Sequence, residues 1–348
     1  MEKKLRIVQV GAGGWGWSWI QFVLDSPAWE LAGVVARRDE VKKQVCGHFG
    51  IDEKIVYKSV GDAVENAEAD AALVVVPPEA HLDVSLELIE GGLHCLVEKP
   101  LAPTMAEARR IVDAAKKADR KLMVAQNYRF KRAPQTVKRL IQKGLIGGVG
   151  SAYISFHKAP QFTGFRAEMA EPLIIDLSIH HFDQMRGILG LEPKSVLAHS
   201  WNPHWSYFKG NPVVTLIFEM QDGAVCTYTG DWVTRGVETT WDGDWYIQGD
   251  QGEIHWARNE VTARTVNIMN EVYFEGTKEQ DGVLLADLVD LPAQDRPYVL
   301  LEFADSIVDG KQPETSGEDN LATLAMVLGA CRSIEQKRPV SMEEILTG

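Results

Sequence analysis

The stretch RIVQVGAGGWGWSWI, residues 6–20, decides how the chain is read. Arg6 to Val10 is a run of strand formers, four glycines follow within residues 11–16, and the chain then continues in helix-like residues. Gly11-Ala12-Gly13-Gly14-Trp15-Gly16 fits the spacing G-x-G-x-x-G between a strand and a helix. At such a junction Gly11 permits the tight turn, Gly13 lets the backbone approach a pyrophosphate, and Gly16 allows close helix–strand packing. The helix N-terminus adds N–H groups and the positive end of its dipole. In this position the pattern, with Gly14 and Trp15 inside it, implies a dinucleotide-binding loop.

Outward from that loop, residues 5–126 alternate short apolar runs with helical patterns. The runs are LRIVQV, LAGVVA, AALVVV, HCLVE and KLMVAQ; helices are expected over 79–91 and 104–119, the second with Thr104 and Glu107 at capping-box spacing. Strands buried on both faces read as unbroken apolar runs, and helical crossovers join parallel strands. Residues 1–126 are therefore expected to form an α/β domain with a doubly wound parallel sheet. The alternation stops near 126–134. Beyond it come a helix over 134–143, a strand over 151–157, an amphipathic helix over 172–189, and a series of alternating strands. PVVTLIFEM and AVCTYTGDW flank Asp222-Gly223 as a hairpin; DWYIQGD, GEIHWARN and RTVNIMNEVYF extend an antiparallel sheet, and helices over 298–309 and 318–335 close the chain. Residues 127–348 are thus expected to form a second domain with a mostly antiparallel sheet. The closing helices are candidates to pack back on the first.

Composition narrows the partners. The chain has 348 residues, 45% of them hydrophobic, enough for two cores, and a formal charge of −13 argues against a phosphate-backbone-binding face. No nucleic-acid partner is expected. No apolar stretch nears the roughly 20 residues that span a bilayer, and MEKKLR leads directly into a strand, so no membrane partner and a cytoplasmic location are expected. Cys46, Cys95, Cys226 and Cys331 form no CxxC pair and read as free thiols.

An acid ending the second strand would hold the adenosine ribose hydroxyls, but that position is Ala36, followed by Arg37 and Arg38. Without the carboxylate a 2′-phosphate is not repelled, and an arginine offers it a planar charged fork, so NADP is favoured over NAD. Alternatively both arginines are solvated and the displaced Asp39 reaches the ribose. Further on, VVVPPEAH and HCLVEKPLAPT put Pro77, Pro78, His81, Glu98, Lys99 and Pro100 at carboxyl ends of parallel strands, where open α/β sheets bind ligands.

Together with VAQNYRF (124–130) and IIDLSIHHFD (174–183), these motifs resemble the glucose-fructose oxidoreductase, inositol dehydrogenase and MocA family. The resemblance runs from Ile7 to about Val340. It implies a Rossmann domain followed by an α/β domain with an open sheet, and oxidation or reduction of a secondary alcohol or carbonyl on a sugar or cyclitol. The family's Glu-Lys-Pro motif falls on Glu98, Lys99 and Pro100, and its Asp-x-x-x-His motif on Asp176 and His180. By that likeness Lys99 contacts the reacting oxygen and the nicotinamide ribose, Asp176 orients substrate or base, and His180 takes the hydroxyl proton. Pro77, Pro78, His81, Glu98, Lys99 and Gln126 join the glycine loop in holding the cofactor; Tyr128, Arg166 and His181 join Lys99, Asp176 and His180 around the substrate. A homodimer or homotetramer through the second sheet is implied as well.

The spacing bears on the chemistry in its own right. On an α-helix Asp176, His180 and Asp183 share one face, so a carboxylate can orient an imidazole suited to general-base work near neutrality. A nearby ammonium such as Lys99 stabilises negative charge developing on oxygen. His180 and His181 do not face one ligand position, and no metal site is expected. Trp201, Trp205, Trp232, Trp241, Trp245 and Trp256 are candidates either for sugar platforms or for sheet packing, and residues 157–169 read as a loop bordering the site. Two other functions are weighed: a glycoside-processing enzyme that recycles tightly bound NAD(H), and a nucleotide-binding sensor without catalysis. The retention of Lys99, Asp176 and His180 disfavours the sensor.

Overall fold

The computed structural model describes residues 4–266 and 275–348. The chain divides into two compact units, Met1–Asn127 with Pro292–Leu321, and Tyr128–Leu291 with Ala322–Gly348.

The first unit holds six strands, β1 (Leu5–Val10), β2 (Trp29–Val35), β3 (Val56–Tyr57), β4 (Ala71–Val74), β5 (His94–Val97) and β6 (Leu122–Val124). They pair in parallel in the order β3-β2-β1-β4-β5-β6. Strand order reverses between β1 and β4, so the carboxyl ends of those two strands flank the point where doubly wound sheets bind ligands. Ile7, Val8, the whole of β4, and Cys95 to Val97 are fully buried, which is why these strands read as continuous apolar runs. The crossovers are helical: α1 (Trp15–Asp25), α2 (Asp39–Phe49), α3 (Val60–Asn66), α4 (His81–Glu90) and α5 (Met105–Lys117). On α5, Met105, Ala108, Ile111, Val112 and Ala115 form the buried stripe. Thr104 accepts the Glu107 N–H and its hydroxyl donates back to the Glu107 carboxylate. The return segment belongs to this unit. Helix Arg296–Val308 receives the Trp29 indole N–H on Leu300 O at 2.7 Å, and Thr315 bonds Val124 through both its carbonyl and its hydroxyl.

In the second unit helix α6 (Arg132–Gln142) precedes β7 (Val149–His157); α7 (Phe165–Glu168), a π-helical turn Ile174–Ser178 and α8 (Ile179–Gly187) follow. Strands β8 (Pro193–Trp201), β9 (Val213–Met220), β10 (Val225–Asp231), β11 (Asp244–Gly249), β12 (Gly252–Ala257), β13 (Glu260–Thr265), β14 (Thr277–Gln280), β15 (Val283–Ala286) and β16 (Val340–Ser341) complete it. The ten strands lie in the order β14-β15-β13-β12-β11-β7-β10-β9-β8-β16, antiparallel throughout except for the parallel pair β7 and β10. Register sorts the faces. Ala198, Leu216, Tyr228, Ile154, Trp245 and Trp256 are successive cross-strand partners on the buried face, whereas Leu197, Ile217, Thr227, Tyr153, Tyr246 and His255 line up on the other.

Several details depart from the sequence reading. The helix expected as amphipathic over 172–189 opens with a π turn, and Ile179 to Arg186 are all buried, so it is a core helix, with His181, Asp183 and Arg186 bonded to Trp241 O, Arg129 and Glu192. Strand β8, unforeseen because Lys194, Ser195, His199 and Ser200 dilute its alternation, is one of the longest in the sheet. Of the strand expected over 264–274, residues 267–274 lie outside the described residues; β13 ends at Thr265. Among the described residues no helix is long and apolar enough to cross a membrane.

Candidate active site

The glycines divide into those the fold needs and those it does not. A Cβ on Gly11, whose φ is +100°, would lie 2.2 Å from Val75 O, and one on Gly16 would lie 2.5 Å from Gly11 O. A Cβ on Gly13 would meet nothing within 4 Å. The protein's own packing therefore leaves Gly13 unexplained, whereas a diphosphate approaching the backbone explains it. Gly14 precedes α1 without a side-chain cap and the first turn carries no acid; the Gly16 and Trp17 N–H groups bond Gly13 O and Gly14 O, so an anion here meets the positive end of the helix dipole and the N–H groups ahead of Gly16. Buried Gln9, a further residue of this site on β1, donates from Nε2 to Gly11 O and Gly16 O, both at 2.8 Å. A polar residue inside the otherwise apolar stretch IVQV, residues 7–10, is its signal. These groups fit the phosphates of a dinucleotide.

At the end of β2, Ala36 is buried while Arg37 and Arg38 are exposed, and among the described residues their guanidinium groups make no hydrogen bond or ion pair. Asp39 is held elsewhere: Lys58 sits 3.0 Å from its carboxylate and keeps that carboxyl below its usual range.

The ends of β4 and β5 are tied together. Pro77 is exposed and Pro78 half-buried, but His81 is fully buried, with Nε2 2.9 Å from Val76 O and Nδ1 3.0 Å from Pro100 O and 3.3 Å from Leu101 O. Both ring nitrogens face backbone, which leaves none for a nucleotide and corrects its assignment as a cofactor contact. Glu98 is also turned inward. Its Oε1 accepts the indole N–H of Trp15 at 2.8 Å and of Trp19 at 2.6 Å, and its Oε2 accepts the Lys99 N–H at 3.0 Å. Lys99 itself is half-buried and Gln126 fully buried. Arg296, which no local signal marked, lays its guanidinium 4.5 Å from the Trp15 ring and donates to Ser18 Oγ at 2.7 Å.

In the second unit His180, 5% exposed, stacks on Tyr128 with ring centroids 4.2 Å apart and planes 6° from parallel. Lys131 lies 3.6 Å over the same Tyr128 ring and is paired at 2.8 Å with Asp242, a pairing without local signal because 111 positions separate the two. The π turn breaks the single α-helical face expected for Asp176, His180 and Asp183, and the two acids answer to different arginines. Asp176 receives Arg166 Nε at 2.7 Å, with the guanidinium also beside the Phe162 and Phe165 rings, whereas Asp183 takes buried Arg129 on both oxygens at 2.7 and 2.6 Å. Arg166 and Asp176 thus link the 157–169 loop to the π turn. His181 is a core residue rather than a substrate contact: Nε2 faces Trp241 O at 2.9 Å, Nδ1 faces the Tyr228 hydroxyl at 3.0 Å, and burial pushes the imidazole down to about 4. Trp232, Trp245 and Trp256 are buried, the last two stacked at 5.4 Å as cross-strand partners, so sheet packing explains them; Trp201, Trp205 and Trp241 remain exposed.

Residues 5–126 match the oxidoreductase family GFO/IDH/MocA, NAD-binding Rossmann fold, and residues 135–255 match the GFO/IDH/MocA C-terminal domain. The rhizopine catabolism protein MocA of Rhizobium meliloti is 30% identical over 64% of this chain and 69% of its own. The 1,5-anhydro-D-fructose reductase of Ensifer adhaerens is 25% identical over 96% of this chain and 97% of its own. An oxidoreductase from Agrobacterium radiobacter, solved with NAD+, L-tartaric acid and magnesium, shares the fold at a TM-score of 0.87 and 23% identity, covering 99% of this chain and 100% of that one. With a glycine loop built for a dinucleotide and both domain matches in sequence, the chain belongs to the GFO/IDH/MocA family of NAD(P)-binding oxidoreductases.

Proposed function

We propose that the enzyme interconverts a secondary alcohol and a carbonyl on a sugar, sugar derivative or inositol-like polyol, using NADP in preference to NAD. What carries the reading is the bond from Trp15, inside the glycine loop and the first residue of α1, to Glu98, whose neighbour is Lys99. It ties the Lys99 peptide to the dinucleotide loop. The named relatives that act on sugars or are tied to rhizopine breakdown support the substrate class.

A bound nicotinamide supplies the two-electron acceptor for the carbinol carbon. Lys99 is assigned to the negative charge that develops on the reacting oxygen. His180 is assigned the hydroxyl proton, its ring plane set by the stack on Tyr128. Asp176 accepts from substrate hydroxyls while Arg166, which has donors beyond its contacts with Asp176, supplies the complementary N–H groups. Exposed Arg37 and Arg38, with Asp39 diverted to Lys58, suit a 2′-phosphate. The open sheet face carries Tyr153, Leu197 and Ile217 and suits a second copy of the chain.

Initial rates on inositols, free sugars and glycosides, run with NADP+ and NAD+ in parallel, test this. Sustained turnover of one polyol or sugar, faster with NADP+, is expected. Lys99→Met and His180→Ala should each lower kcat by about 10²-fold or more with the fold and nucleotide binding retained. Near wild-type turnover in either would remove that residue from the chemistry.

A further inference from the structure

Lys99 leaves β5 under restraint from two directions. Ahead of it, the Glu98 carboxylate holds the Lys99 N–H at 3.0 Å together with two indoles of α1. Behind it, the His81 ring reaches the carbonyls of Pro100 at 3.0 Å and Leu101 at 3.3 Å, and from its other nitrogen the carbonyl of Val76 at 2.9 Å. His81 is the first residue of α4 and fully buried, as is Leu101.

We infer that His81 is a positioning residue for Lys99, a crosslink between the loop after β4 and the loop after β5 that fixes where the lysine backbone turns toward the dinucleotide. The inference rests on the proposed role of Lys99. The carbonyls of Val76, Pro100 and Leu101 only accept, and a side chain fully bonded to them must bring donors on two sides of one rigid body. The imidazolium does this; the neutral ring, which burial favours, donates on one side and holds its other nitrogen against the facing carbonyl by packing alone. The ring makes no demand on the nucleotide, because both nitrogens are spent on backbone. Its contribution is geometric, and displacing a reacting group by about 1 Å costs on the order of 10²-fold in rate.

His81→Phe keeps the ring volume and removes both contacts; His81→Gln restores one donor. In the purified full-length enzyme with NADP+ and its best substrate, His81→Phe is expected to lower kcat roughly 10- to 100-fold while the Kd for NADPH changes less than about threefold, with His81→Gln in between. Added to Lys99→Met, His81→Phe should slow the residual rate no further. A His81→Phe enzyme within about twofold of wild-type kcat, or one whose defect lies in NADPH affinity alone, overturns the inference. If Lys99→Met keeps its activity while His81→Phe loses it, the assignment of Lys99 fails and the crosslink serves something else. Should neither variant fold, nitrogen-15 spectra of histidine-labelled wild-type enzyme decide: a His81 ring N–H protected from solvent exchange is expected, and a freely exchanging one rejects the crosslink.

Discussion

Single residues separate what the fold requires from what a ligand requires. Gly13→Ala adds a methyl to open space and should change stability by less than about 1 kcal/mol, while NADPH affinity falls at least tenfold. Gly16→Ala drives its Cβ into Gly11 O and should lower the melting temperature as well as the affinity. Titration with NADPH beside thermal unfolding distinguishes the two; equal behaviour would contradict the division. Arg38→Ala combined with Arg37→Ala should reduce kcat/KM for NADP+ by about tenfold or more and leave NAD+ little changed, which steady-state kinetics with each nucleotide will show. His181 carries a pH signature. Its folded imidazole titrates at about 4 and an unfolded one near 6.5, so the unfolded chain binds more protons between those values. Its contribution is whole above pH 6.5 and falls as the pH drops toward 4, by roughly 3 kcal/mol at most. Urea unfolding at pH 7.5 and pH 5 should show the loss, and a His181→Phe variant should show less of it.

At the level of elements, α8 carries a buried ion pair within its apolar packing. Arg129 and Asp183 form a bidentate pair with side chains 3% and 1% exposed, and Gly187 leaves the room, since a Cβ there would come within 2.5 Å of the Arg129 guanidinium. Removing one partner strands the other in the core. Arg129→Ala or Asp183→Ala should therefore cost about 3–5 kcal/mol in denaturant unfolding, whereas breaking an exposed pair such as Lys311 with Asp309 should leave the unfolding midpoint nearly unchanged. The pair also explains why α8 looks amphipathic in sequence yet is buried all round: its charged residues face partners, not water.

For the whole molecule, the ten-stranded sheet leaves one face open, with Leu197 at 43% and Ile217 at 42% exposure on the paired strands β8 and β9, and Tyr153 at 47% on β7, across β10 from them. If that face joins copies of the chain, light scattering after size exclusion should give a dimer or tetramer. Ile217→Lys should shift it toward monomer while the near-ultraviolet circular dichroism of each unit stays unchanged. A wild-type monomer at micromolar concentration would dismiss the surface as an interface.

How far each scale was legible follows from the range of the forces involved. Periodicity and turn chemistry act over a few residues, and these settled the parallel alternation through β6, the glycine loop, the hairpin around Asp222-Gly223 and the helices on either side. Local spacing also put Lys99 at a strand end and His180 on a helix. It did not reveal what those residues lean on. The stack of Tyr128 on His180, the pairing of Lys131 with Asp242 and of Arg129 with Asp183, and the crosslink of His81 to Pro100 join positions far apart in the chain. Such contacts leave no period to read, because each depends on where two separate elements are carried by packing. The sequence by itself thus determined the sheet of the first unit and the identity of its ligand loop, through local hydrogen bonding and burial pattern. Only the tertiary structure decided which polar groups are spent on the protein's own backbone and which stay available for chemistry, because a buried donor or acceptor must find its partner wherever the fold brings one.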